Sequence, residues 1–162
     1  GLGDVYKRQP LVRCINFGLD GMQSFSFTLE EERSAVLVPA GQVGTYLYEP
    51  NASVLKAGAF KQIAVRTGVK KLQVNSHLYT ADHLVSDFPG RRFRVDEVLS
   101  FTGKLCKGLS KTIPQANITV RNFPLSVEEL RKRTKITDGG HVYLFATTLV
   151  DGEKVLVKCS KA

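Results

Sequence analysis

Residues 117–121 alternate strictly. Ile118 and Val120 point to one side, Thr119 and Arg121 to the other, the period-two pattern of a half-buried strand. Phe123-Pro124 stops that ladder, because proline has no N–H and holds its predecessor extended. Ser126 and Glu129 then stand at capping-box spacing, with Leu125 and Leu130 at the staple positions. A helix is therefore predicted from residue 126. It ends in Arg131, Lys132, Arg133 and Lys135, cations that suit the negative end of the helix dipole. Asp138-Gly139-Gly140 closes the unit.

The same reading extends over residues 91–162. Phe93 and Val95 alternate with Arg92 and Arg94, which predicts a strand with one basic face. Thr102 is placed to cap a helix whose apolar side is Leu105, Cys106, Leu109 and Ile113. Lys104, Lys107 and Lys111 recur on the opposite side at 3.6-residue spacing. Residues 141–149 and 154–159 read as strands joined through Asp151-Gly152, a strong hairpin signal. The order is β-α-β-α-β-β. A sheet with helices on one face is expected to bury Leu144, Phe145, Leu156 and Val157, and His141 reads as structural.

Residues 10–90 are less regular. Segments 11–17 and 22–29 are predicted strands around the turn-rich Gly18-Leu19-Asp20-Gly21, with Phe25 and Phe27 alternating against Ser24 and Ser26. The acidic run 30–32 reads as a solvated loop. Segments 35–38, 45–48 and 70–74 read as short strands. A helix is predicted between Asn51 as N-cap and Gly68 as C-terminal stop, with Gly58 a candidate break. The class is α+β, in two small units, 10–90 and 91–162.

Charge sharpens the picture. Of the formal net +8, residues 91–135 hold eleven Lys+Arg against four Asp+Glu, +7, whereas 1–90 hold nine against eight and 136–162 three against three. Such concentration is the footprint of a surface that meets phosphates, and an acidic protein or a membrane surface could use it too. The chain of 162 residues is 43% hydrophobic, enough for a real core. No apolar run approaches the roughly 20 residues of a membrane span. Cys14, Cys106 and Cys159 are three and far apart, so neither a disulfide framework nor a zinc site is indicated. Reduced thiols in a cytoplasmic protein are expected.

Catalytic signals are thin. Ser76, His77, Asp82 and His83 could be imagined as a hydrolytic set. Adjacent residues of a strand face opposite ways, however, so Ser76 and His77 pair poorly there. His77, Asp82 and His83 lack any tight metal-ligand spacing. Structural polar residues or an RNA-facing loop explain them more simply. No glycine-rich G-x-G turn follows a strand, no P-loop is present, and the aromatics form no RNA-recognition pattern. Contact with nucleic acid would rest on phosphates, shape and a few polar groups.

Four stretches resemble a known family: EPNASVLKAG (49–58), NSHLYTADHLVSDFPGR (75–91), ANITVRNFPLSVEELRKRTKITDGG (116–140) and YLFATTL (143–149). They are similar to the C-terminal half of bacterial class I SAM-dependent methyltransferases that end in a ferredoxin-like and a THUMP-like domain. The resemblance covers residues 10–162. It implies a ferredoxin-like unit over 10–90, a THUMP-like unit over 91–162, and SAM held in an upstream Rossmann-type domain, with no cofactor or metal in this chain. Residues 1–9, GLGDVYKRQ, resemble a translated sequencing-adapter remnant, which agrees with a natural protein continuing upstream. In THUMP-containing RNA-modifying enzymes the two domains grip structured RNA, which implies tRNA or rRNA as partner beside the upstream methyltransferase domain. No contact residue transfers from the family.

Charge alone selects the RNA-facing set: Arg91, Arg92, Arg94, Lys104, Lys107, Lys111, Arg121, Arg131, Lys132, Arg133 and Lys135, with Asn122 for a base or sugar. The competing readings are a protein-interaction or structural module, docking on the catalytic domain or mediating dimerisation, and a small independent enzyme. The last lacks a convincing nucleophile, base or ligand set.

Overall fold

The computed structural model describes residues 10–18 and 21–162; the adapter-like stretch 1–9, and residues 19–20 of the expected Gly18–Gly21 link, lie outside them. The chain opens with an antiparallel hairpin, β1 (Leu11–Gly18) and β2 (Gly21–Thr28), in register from Leu11 opposite Thr28 to Gly18 opposite Gly21. Phe25 and Phe27 turn inward, as their alternation with serine predicts.

The acidic run is not a solvated loop. It belongs to helix α1 (Leu29–Ser34), with Thr28 and Glu31 forming a complete capping box. Three carboxylates in the first turn suit the positive end of the dipole. Glu32 does a second job. Its carboxylate accepts from the backbone N–H groups of Lys61 (2.6 and 3.1 Å) and Gln62 (3.1 Å), at the start of α3 (Phe60–Thr67). That helix has no side-chain cap of its own, so α1 supplies one. The expected helix of 51–68 is indeed broken at Gly58, into α2 (Ala52–Ala57) and α3. Gly58 and Gly68 end them with φ of 72° and 80°, the left-handed geometry glycine adopts freely.

Seven strands form the main sheet: β3 (Tyr46–Pro50), β4 (Lys70–Lys71), β5 (Tyr79–Ala81), β6 (Gly90–Ser100), β7 (Asn117–Arg121), β8 (Tyr143–Thr148) and β9 (Lys154–Lys161). Their spatial order is β4-β5-β3-β6-β9-β8-β7, antiparallel except for the parallel β7–β8 pair. Helix α4 (Gly103–Thr112) precedes β7, and α5 (Val127–Thr134) makes the β7-to-β8 crossover. The β-α-β-α-β-β order expected for 91–162 is present. Residues 35–38 are not a strand; only the neighbouring Pro39 makes an isolated bridge, to Lys71. The strand expected over 70–74 stops at Lys71, because 72–75 turn back toward β5.

The sheet crosses the 90/91 division without interruption. β3 pairs with β6 from Tyr46 opposite Arg94 to Pro50 opposite Gly90. A Cβ at Gly90 would overlap the Glu49 carbonyl, so glycine there permits the close approach. The Asp151-Gly152 turn joins β8 and β9, with Gly152 at φ 87°.

Three apolar clusters hold the layers. The hairpin, α2 and α3 bury Phe27, Val54 and Ile63 against Tyr48 and Tyr79. Helices α4 and α5 bury Leu109, Ile113 and Leu130 against Leu144, Ala146 and Leu156. The third cluster joins Leu47, Leu72, Leu78, Phe93, Phe145, Val155 and Val157. The four residues expected beneath the helices are all buried. Alternation nevertheless sends Leu144 and Leu156 to the helices, and Phe145 and Val157 to the third cluster.

This third cluster is closed by curvature of the sheet. The 72–78 loop reaches the β7–β8 edge, where Ser76 Oγ donates to the Thr148 carbonyl at 2.6 Å. Asn122 Nδ2 donates to Ser76 Oγ and to Gln73 Oε1, each at 3.2 Å.

Candidate nucleic-acid interface

The capping box predicted at the start of α5 is complete. Ser126 Oγ accepts from the Glu129 N–H, and the Glu129 carboxylate from the Ser126 N–H, both at 3.1 Å. The second bond holds the Glu129 carboxyl below its usual range. Thr102 caps α4 as expected, accepting from the Leu105 N–H at 3.1 Å. Cys106, Leu109 and Ile113 are buried beneath α4, with Leu105 half-buried among them, so its lysines face outward.

Five of the twelve residues expected to face RNA are engaged inside the protein. Glu49, whose side chain is only 10% exposed, takes the Arg91 guanidinium at 2.7 Å and that of Arg121 at 3.3 Å. Arg91 also lies over the rings of Phe93 and Tyr143. Arg92 donates to the Ser86 carbonyl at 3.1 Å. Arg131 closes the end of α5, donating to the carbonyls of Ile136 and Ala116 and pairing with Asp138 at 2.9 Å. Asn122 holds the left-handed φ of 57°; its amide is spent on Gln73 and Ser76, and its carbonyl accepts from Thr148 Oγ1.

The other seven are exposed: Arg94, Lys104, Lys107, Lys111, Lys132, Arg133 and Lys135. Among the described residues none of the seven pairs with a carboxylate within 4 Å. Six of them ride on α4 and on the end of α5, two helices that share one apolar cluster and so lie side by side. Arg133 stands at their seam. Burial pushes the Cys106 thiol up, and the nearby Arg133 guanidinium opposes that rise. The acidic residues of α5, Glu128 and Glu129, occupy its first turn, at the other end from the cations. Arg94 of β6 stands in register between Tyr46 of β3 and Ser160 of β9, on the same face of the sheet.

The enzyme-like residues of 75–90 do not assemble. Ser76 is fully buried and its hydroxyl is committed to Thr148. His77 stacks on Phe60 with ring centroids 4.0 Å apart. Burial, then Lys71 and Arg121, lower its pKa. Asp82 accepts from the Thr45 N–H at 3.2 Å, and the His83 carbonyl accepts from Tyr48 at 2.9 Å. Among the described residues no group of three His, Cys, Asp or Glu side chains is placed to hold a metal ion. Cys14, Cys106 and Cys159 are buried free thiols. No helix of the described residues is long and apolar enough to cross a membrane.

Sequence reasoning missed Glu49. The available signal was its setting: a lone carboxylate in YLYEP, between aromatic and aliphatic strand residues, must find a cation when buried.

Comparison with known proteins agrees with this architecture. Residues 46–89 match a ferredoxin-like domain and residues 90–161 a THUMP domain-like module. No curated protein matches the chain. Among solved structures, the crystal structure of a candidate methyltransferase from Porphyromonas gingivalis W83 is similar at 47% identity and a TM-score of 0.90. The match covers 94% of this chain and 38% of that one, so this chain spans well under half of that protein's length. The expected α+β class, with a ferredoxin-like followed by a THUMP-like domain, is present.

Proposed function

We propose that residues 10–162 are the substrate-targeting, RNA-binding module of a cytoplasmic SAM-dependent methyltransferase of the class I kind. SAM and the methyl-transfer chemistry belong, in this reading, to a Rossmann-type domain outside this sequence. Residues 10–90 and 91–162 are its two units, coupled through β3 and β6. The carrying observation is the set of six exposed cations on α4 and the end of α5, within the THUMP domain-like residues 90–161. A surface of Lys and Arg without carboxylate partners gains most from phosphates, whose counterions it releases. The likeness to the candidate methyltransferase of Porphyromonas gingivalis supports the methyltransferase half of the proposal.

Aromatic stacking platforms are absent from these two helices, whose exposed positions are charged, polar or glycine. The contact is therefore to backbone and shape, which suits folded tRNA or rRNA. Filter binding of tRNA and rRNA fragments at increasing salt tests this. Six phosphate contacts give a log–log slope of roughly −4 to −5. A flat dependence, or no binding at low salt, would overturn it. An acidic polypeptide that competes as well as RNA would favour a protein partner for the same cations.

A further inference from the structure

Strands β1 and β2 pair only with each other among the described residues. A lone two-stranded hairpin is marginal in water and needs a packing partner. One face has it: Cys14, Phe25 and Phe27 are buried with α2 and α3. The other face sets Leu11, Arg13, Ile15 and Phe17 of β1 against Thr28, Ser26, Ser24 and Met22 of β2, and its apolar half has no cover. Leu11, Ile15 and Phe17 recur at every second or fourth position of β1, and Phe17 stands opposite Met22 of β2. Their exposures are 58%, 40%, 80% and 61%. Apolar residues on both sides of a strand are the pattern of strands enclosed on both faces. An exposed apolar patch of this kind, Ile15, Phe17 and Met22 adjoining and Leu11 beyond Arg13, marks an interaction surface.

The comparison indicates what is missing. The Porphyromonas gingivalis protein matches 94% of this chain, yet more than half of its own length lies outside the match. Resting on the reading that this chain belongs to a methyltransferase, we propose that the outer face of the β1–β2 hairpin is the seat of the methyltransferase domain. That domain covers Leu11, Ile15, Phe17 and Met22 with an apolar surface of its own. The hairpin packs with Tyr48 and Tyr79 of β3 and β5, whereas α4 and α5 pack over β8 and β9. A domain docked on the hairpin therefore leaves the six helical cations open to RNA. Arg13 is the one charge among the outward residues of β1 and β2, so the seat carries little electrostatic cost of burial.

Thiol labelling tests this directly, because Cys14, Cys106 and Cys159 are all buried and give a low background. Phe17→Cys and Met22→Cys, with Glu128→Cys as an exposed control on α5, are made separately in the 162-residue chain and in the full-length protein. Maleimide should label all three rapidly in the short chain. In the full-length protein the two hairpin thiols should react roughly tenfold or more slowly, at the rate of local opening, and the control should not change. SAM binding to the full-length protein is measured in parallel by calorimetry. Equal hairpin labelling in both proteins, with SAM bound, overturns the docking proposal and leaves the methyltransferase reading intact. Failure to bind SAM overturns both.

Discussion

Glu49 of β3 and Arg121 of β7 are joined by a 3.3 Å salt bridge, although three strands stand between theirs in the sheet. Curvature brings them together, and Arg91 completes the cluster at 2.7 Å. Two arginines selected by charge for RNA thus hold the ferredoxin-like and THUMP-like parts in one sheet. Glu49→Gln leaves two guanidinium groups facing each other over a neutral amide. With both arginines partly exposed, the expected loss is about 1–2 kcal/mol by urea denaturation. RNA affinity should stay the same or rise slightly. A large loss of RNA affinity without loss of stability would mean that the cluster meets the ligand.

The lysines of α4 should behave in the opposite way. The combined substitution of Lys104, Lys107 and Lys111 by Gln removes three outward charges and no buried atom. The salt slope of RNA binding should fall by roughly 2–3. Exposed substitutions of this kind change stability within about ±0.5 kcal/mol each. A variant that unfolds more easily yet binds RNA normally would contradict the assignment.

The acidic segment makes a separate prediction. Glu32 caps α3 through the N–H groups of Lys61 and Gln62, whereas Glu30, among the described residues, pairs only with Arg33, both side chains more than half exposed. Glu32→Ala should cost about 1 kcal/mol or more and Glu30→Ala little. Equal effects in thermal unfolding would contradict the capping role of Glu32.

Lys71 is 1% exposed, with Nζ donating to the Val74 carbonyl at 2.6 Å and lying 4.7 Å from the Phe60 ring centre. Burial lowers its pKa to about 8 from the ordinary 10.5, against the smaller opposing pull of Glu32. Between those values the unfolded chain holds a proton that the folded chain has lost. Lys71 therefore adds a rise in stability with pH across this window, and its cost is fully present below pH 8. Lys71→Met should stabilise the protein at pH 7 by ~1–3 kcal/mol, with the gain shrinking as pH approaches 10. A destabilised variant, or a gain independent of pH, would contradict this account of Lys71.

Local rules explain which parts were legible. Ser126 with Glu129, Thr102, Gly58 and Gly152 each act within a few residues, and all four take the predicted roles. Thr28 and Glu31 carry the same box spacing, but the run of three glutamates masks it as a solvated stretch. β5 is three residues long, too short for a period to show. The pairing of β3 with β6 and the reach of the 72–78 loop depend on contacts distant in sequence, which alternation does not encode. The candidate site divided along the same line. Helical lysines opposite an apolar stripe were placed correctly on the surface, whereas Arg91, Arg121 and Arg131 were claimed by carboxylates and carbonyls that only the assembled sheet supplies.

Amine footprinting with and without RNA tests the central claim most directly. A lysine-acylating reagent, read by mass spectrometry, is applied to the protein alone and with saturating tRNA or rRNA fragment at low salt. Protection is expected at Lys104, Lys107, Lys111, Lys132 and Lys135, with the exposed Lys56, Lys70 and Lys154 reacting as before. Unchanged reactivity on α4 and α5, with protection at Lys56 or Lys70 instead, would place the RNA elsewhere and contradict the account.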